Sequence, residues 1–152
     1  MRKSWTLAAI AVVLAVLPAG GCRRRPAPPA VTINGTTWHV EIADTREKKF
    51  LGLSGRKHLD EQAGMLFVHE RPKVMAFVMR GMFIPLDIAF INADGRIIRI
   101  YTMPVESDQS NLTAYSSEGP AKYVLEVNAG AFARAGVKEG DEVTLTGQIV
   151  RR

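Results

Sequence analysis

MRGMFIPLDIAFINADG, residues 79–95, decides how the rest of the chain is read. Pro85 has no amide hydrogen to give a sheet ladder, so a central strand begins after it, at Leu86. That strand runs to Asn92, turns through Asp94 and Gly95, and returns over residues 97–101. One carboxylate, Asp87, sits inside it between apolar neighbours. Taken out of water, such a group must be paired or hydrogen-bonded, or its pKa rises.

More short strands lie on either side of this stretch. Residues 31–33 and 37–43 are separated by Asn34 and Gly35, the pair best suited to a type I′ hairpin turn. The second of these strands alternates Trp38, Val40 and Ile42 against His39 and Glu41, which places His39 outward. Asp44 with Glu47 reads as a capping box for a helix that buries Phe50, Leu51 and Leu53 and ends at Gly52 and Gly55. Residues 64–68 and 74–79 read as buried strands joined by a turn at ERPK, and residues 104–120 as a long polar surface loop. Residues 123–127 form another strand, followed by a short helix capped by Asn128 and ended by Gly136. A last strand covers residues 143–149. Strands do not alternate with helices, which excludes a parallel doubly wound sheet. The expected fold is α+β and mainly β: a compact, barrel-like antiparallel sheet with two short helices, occupying residues 31–152 as one domain.

Ahead of that domain the composition changes. Arg2 and Lys3, an apolar run over residues 5–17, Pro18 and small residues 19–21 have the shape of a signal peptide. Thirteen apolar residues are too few to span a bilayer, which takes about 20. Cys22, the single cysteine, follows the small residues directly and resembles the lipidation site of a bacterial lipoprotein, although Ala19 stands where leucine is usual. The resemblance implies cleavage before Cys22 and acylation of it; cleavage alone would give a soluble periplasmic protein. Arg23 is not the aspartate linked to inner-membrane retention, which tilts the expectation towards the outer membrane. RRRPAPPA, residues 23–30, reads as an extended tether whose arginines can meet anionic headgroups.

The formal charge of +5 is carried by that leader: Arg2, Lys3, Arg23, Arg24 and Arg25 account for all of it, and residues 26–152 are neutral. A nucleic-acid partner is therefore not expected. The histidines at 39, 58 and 69 show no HxxxH or HExxH spacing and read as surface or loop residues. No nucleophile elbow or glycine-rich phosphate cradle is present, so no cofactor and no catalytic residue is assigned.

Five blocks, ADTREKKFLGLSGR (43–56), GMLFV (64–68), MRGMFIPLDIAFINADGRI (79–97), YSSEGPAKYVLEVNAG (115–130) and GVKEGDEV (136–143), together resemble the domain of unknown function 192 family over about residues 38–146. The resemblance implies a small, mostly β domain, often secreted or lipid-anchored, with no activity to carry over. Phe77, Met79 and Asp87 match its central block; Val78, Arg80, Gly81 and Met82 depart from it, with Arg80 preserving a positive charge.

Three functional readings follow. The first is a noncatalytic envelope module binding a small molecule or protein through residues 104–120 and the edge near Arg80, with Arg80, Asp87, Met79, Tyr115, Ser117 and Asn128 as candidate binding residues. In the second, Asp87 acts with Arg80 in a small hydrolase or lyase; Arg80, across the bend at Pro85, is its natural partner unless backbone amides fill that place. The third is periplasmic copper binding by Met65, Met75, Met79, Met82 and Met103, since thioethers suit Cu(I); core filling is the plainer use of such residues.

Overall fold

The computed structural model describes residues 27–147 and Ile149; the expected signal peptide, Cys22 and the arginine run lie outside the described residues. Strands β1 (Ala30–Ile33) and β2 (Thr36–Ala43) form the expected hairpin. Its turn residues, Asn34 and Gly35, both have positive φ, 49° and 80°, as a type I′ turn requires. Helix α1 (Arg46–Leu51) then carries the chain to β3 (Ala63–Lys73), which runs parallel to β2. All other ladders among the described residues are antiparallel.

After a short strand β4 (Ala76–Phe77) come β5 (Leu86–Ile91) and β6 (Ile97–Met103), the hairpin predicted from residues 86–101. Strand β7 (Tyr115–Ser116) pairs with β4, and β8 (Ala121–Asn128) lies between β3 and β5. Helix α2 (Ala131–Arg134) precedes β9 (Thr144–Thr146), which joins β1. The seven-stranded order is β6-β5-β8-β3-β2-β1-β9. This sheet curls into a half-barrel whose two ends are stitched by an Arg96–Glu142 bridge and by Val143 N donating to the Gly95 carbonyl at 2.8 Å. No described helix is long and apolar enough to cross a membrane.

Apolar residues cover both faces. One core gathers Trp38, Leu66, Ala89, Ile91, Leu125, Val127 and Phe132; the other gathers Met65, Phe67, Met79, Met82, Ile88, Phe90 and Val124. Strict alternation along β5 and β8 divides their residues between the two cores. Every residue of β5 is buried, which accords with its place between β6 and β8 with a core on each face.

Several local expectations are corrected. The N-cap of α1 is Thr45, whose hydroxyl accepts from Lys48 N; Asp44 instead pairs with the Lys48 ammonium at 3.2 Å. Phe50 and Leu51 are not buried but 74% and 62% exposed, because α1 is a single short turn-and-a-half and Leu53, beyond its cap, makes the core contact. ERPK is not a turn. It extends β3 through a register shift between Val68 and Lys73, an irregularity that spares Pro72 a ladder bond. Residues 74–79 contribute only the two-residue β4.

Asn128 does not cap α2; the cap is Gly130 at φ 77°, and the Asn128 amide donates to the carbonyls of Leu59 and Asp60 at 2.9 and 3.0 Å. The described part of the segment expected as a tether, residues 27–30, lies against the domain. Pro29 O accepts from Val40 N, and the chain at Ala27 and Pro28 lies so close to Gly147 that a Cβ there would come within 2.8 Å of both carbonyl oxygens.

Candidate functional site

Asp87 is 2% exposed, and each oxygen of its carboxyl group accepts a hydrogen bond. Thr102, opposite it on β6, donates its hydroxyl at 2.7 Å, and the backbone amide of Phe132 donates at 3.0 Å. Phe132 is in the first turn of α2, whose cap residue has no side chain, so Asp87 supplies from another strand the acceptor that the helix start lacks. No ion pair joins Asp87 to Arg80 among the described residues; the expected partnership is replaced by these two bonds. The physical reason is strand alternation: Asp87 faces the Trp38–Phe132 core, with Ala89 and Ile91, whereas Arg80 lines a pocket on the other side of the sheet.

That pocket, of about 270 Å³, opens between α1, the outer half of β3 and the segment running from β4 to β5. Phe67, Phe77, Leu86 and the methionines 75, 79 and 82 form its apolar wall. Phe67 and Phe77 meet edge to face, centroids 4.9 Å apart. Among these apolar groups stands one acid, Glu126 of β8. Its position follows from register: Met65 of β3 and Ile88 of β5 flank it directly, so the same face of all three strands points towards the pocket.

Glu126 is 6% exposed, and no side-chain hydrogen bond or ion pair reaches its carboxyl among the described residues. Burial without compensation raises its pKa to about 8. At neutral pH the group is a carboxylic acid, able to donate a hydrogen bond as well as accept one. His69, on β3 in the same pocket, is half-buried, not a surface residue as expected; its Nε2 is buried without a partner. Burial first, then the positive charges of Lys49 and Lys73, lowers its pKa to about 4 and keeps the imidazole neutral.

The mouth carries three cations. Lys49 extends from α1, Lys73 ends β3, and Arg80 lies over the exposed Phe50 ring at 4.9 Å. None of them is in an ion pair among the described residues. No cluster of three or more His, Cys, Asp or Glu with metal-ligand geometry occurs among the described residues.

Of the six binding residues predicted from sequence, the structure brings two together here, Met79 in the wall and Arg80 at the mouth. The others stand apart. Ser117 is 1% exposed and latches the loop to the segment before β4, accepting from Met75 N at 3.0 Å and donating to Gly119 O at 2.7 Å. Tyr115 packs edge-on against Tyr101, and Asn128 holds the residues 59–60 turn. Glu126, the acid that sequence reading passed over, had the same signal as Asp87: a lone carboxylate in the apolar run YVLEV.

Comparison with known proteins agrees with this architecture. The family model DUF192, described as "Uncharacterized ACR", matches residues 29–145. A Novosphingobium aromaticivorans protein of unknown function has a similar crystal structure, with a TM-score of 0.68 and 34% identity, over 93% of this chain and 99% of that one. A Sinorhizobium meliloti protein, whose description proposes a role as a transcription regulator, superposes with a TM-score of 0.69 at 31% identity, over 79% of this chain and 95% of that one. No curated protein matches. Since the model spans nearly the whole sheet, from the approach to β1 into β9, this chain belongs to the DUF192 family.

Proposed function

We propose that this protein is an exported, lipid-anchored module of the bacterial cell envelope that binds a small molecule in the pocket over Glu126 and carries out no chemistry of its own. The observation that supports binding is the unpartnered Glu126 carboxyl in an apolar pocket with an unpaired cationic mouth. Pockets built for small ligands have this form, mostly apolar with a few polar groups aimed inward. A noncatalytic role is favoured because Asp87 is committed to Thr102 and Phe132, and because no hydrogen bond links Glu126 to His69 as an acid–base pair.

The envelope part of the reading is supported by the leader, the small residues before Cys22 and the Arg/Pro-rich segment after it. The role proposed for the S. meliloti relative is not transferred, because residues 26–152 carry no net charge to attract nucleic acid.

Two measurements test the proposal. Full-length protein expressed in a Gram-negative host with labelled palmitate should incorporate label and sediment with membranes, and Cys22→Ala should do neither. The neutral fluorophore N-phenylnaphthylamine should bind saturably and shift the NMR methyl signals of Met75, Met79 and Met82, which line the pocket. Soluble, unlabelled protein from the unmodified chain as well as from Cys22→Ala would end the anchored reading, and the absence of saturable binding would end the pocket reading.

One observation keeps Cu(I) binding as a second reading: the unpartnered His69 Nε2 shares the pocket with Met75, Met79 and Met82. The three unpaired cations at the mouth oppose it. A titration with Cu(I) showing no saturable site would remove it.

A further inference from the structure

The pocket lining is asymmetric in charge, and this narrows the ligand. Lys49 and Lys73 belong to the mouth together with Arg80, and none is neutralised by an ion pair among the described residues. Glu126 is the one acid in the lining. An organic cation would meet three like charges before reaching it, whereas an anion is drawn to the mouth and need not enter a desolvated floor. The aromatic pair Phe67–Phe77 and the methionine thioethers suit a flat ring between mouth and floor.

We infer that the pocket accepts a compact aromatic monoanion, its carboxylate held by Lys49, Lys73 and Arg80, its ring against Phe67, Phe77 and the methionines, and a polar substituent at its inner end on Glu126. This rests on the proposed binding role and names its ligand class. The anion stays at the mouth because the floor is closed to charge. Glu126, as a neutral acid, satisfies a hydroxyl or carbonyl there by donating or accepting, and the second unpartnered polar atom, His69 Nε2, stands in the same lining. The volume of about 270 Å³ lies just below the usual range for small-ligand sites and suits a compact molecule.

The titratable groups lining the pocket with Glu126 are Lys49 from α1, His69 and Lys73 from β3, and Arg80 from the segment after β4; β5 contributes only Leu86. When pH rises past the ionisation of Glu126, a carboxylate appears at the floor. Binding of the monoanion then weakens from the inside.

Three probes decide the matter, 4-hydroxyphenylacetate, phenylacetate and tyramine, each titrated into the full chain with the methionine methyl signals as readout. The expected order is 4-hydroxyphenylacetate tightest, phenylacetate several-fold weaker and tyramine weakest. The double variant Lys49→Ala/Lys73→Ala should weaken both acids by about tenfold, as loss of charge-assisted contacts does. Glu126→Leu, checked for an intact fold by its amide spectrum, should erase the difference between the two acids. Glu126→Gln should abolish the weakening of 4-hydroxyphenylacetate binding above pH 8. Tyramine binding more tightly than the acids, or acids indifferent to the lysine variant, would overturn the ligand class while leaving the pocket in place. Failure of all three probes and of N-phenylnaphthylamine to move the pocket methionines would overturn the binding role as well.

Discussion

Asp87 on β5 accepts the backbone amide of Phe132, 45 residues further along the chain, at 3.0 Å. That bond fixes the start of α2 against the central strands and explains why a carboxylate is tolerated among buried residues. It is a helix cap supplied across the fold, with Thr102 as its second donor at 2.7 Å.

Removing this cap should destabilise the domain without touching the pocket. Asp87→Ala leaves the Phe132 amide buried and unpaired, and a loss of about 2–3 kcal/mol is expected in urea unfolding. Asp87→Asn keeps an acceptor for that amide and should cost about 1 kcal/mol. Probe binding at the pocket methionines should survive in the folded Asp87→Asn protein, because Asp87 faces the opposite core. Loss of binding with retained stability would return Asp87 to the site.

Glu126 makes stability depend on pH in a defined window. Its pKa is about 8 in the folded chain against an ordinary 4.5. The native state therefore holds a proton that the unfolded state releases, so this group's contribution to stability is largest below pH 4.5 and falls as pH rises towards 8. Glu126→Gln should remove that slope and raise stability at pH 8 and above by an amount of order a few kcal/mol. Parallel urea series at pH 5 and pH 9 measure the difference.

His69 acts in the opposite direction. Its pKa is lowered from 6.5 to about 4, so the unfolded state takes up a proton first as pH falls. Its contribution is complete above pH 6.5 and is lost as pH drops towards 4. His69→Leu should flatten this acid limb, visible as a melting temperature that no longer declines between pH 6.5 and 4.

Gly64 should not tolerate a side chain. A Cβ there would lie 2.7 Å from the Glu126 carbonyl and 3.0 Å from Val127 Cγ1, where β3 and β8 pack. Gly64→Ala is expected to cost about 1–3 kcal/mol, as overpacking of a core does. It should also shift the backbone amide signal of Glu126, since that strand must give way.

Much of this architecture was legible from local chemistry. Asn34-Gly35 admits both positive φ values of its hairpin, Pro85 marks where the buried strand begins, and the alternation of Trp38 and Val40 with His39 predicts their faces. Other features depend on what the chain meets in space. The parallel β2–β3 pair cannot be read from strand patterns, and Phe50 looks like a core residue until α1 proves too short to turn it inward. The site divides in the same way. Met79 and Arg80, which open the stretch of residues 79–95, line the pocket, whereas the lone acids at 87 and 126 look alike in sequence. Only tertiary structure gives one a helix amide and leaves the other bare.

The most direct measurement is the titration of the Glu126 carboxyl itself, followed by its ¹³Cδ signal in the full chain with and without 4-hydroxyphenylacetate. A free-state pKa near 8 that rises further on binding is the predicted result, because the bound anion and its ring disfavour ionisation at the floor. A free-state pKa near 4.5, unmoved by the probe, would mean that water or another group already satisfies Glu126, and the pocket would lose its claim to be the site.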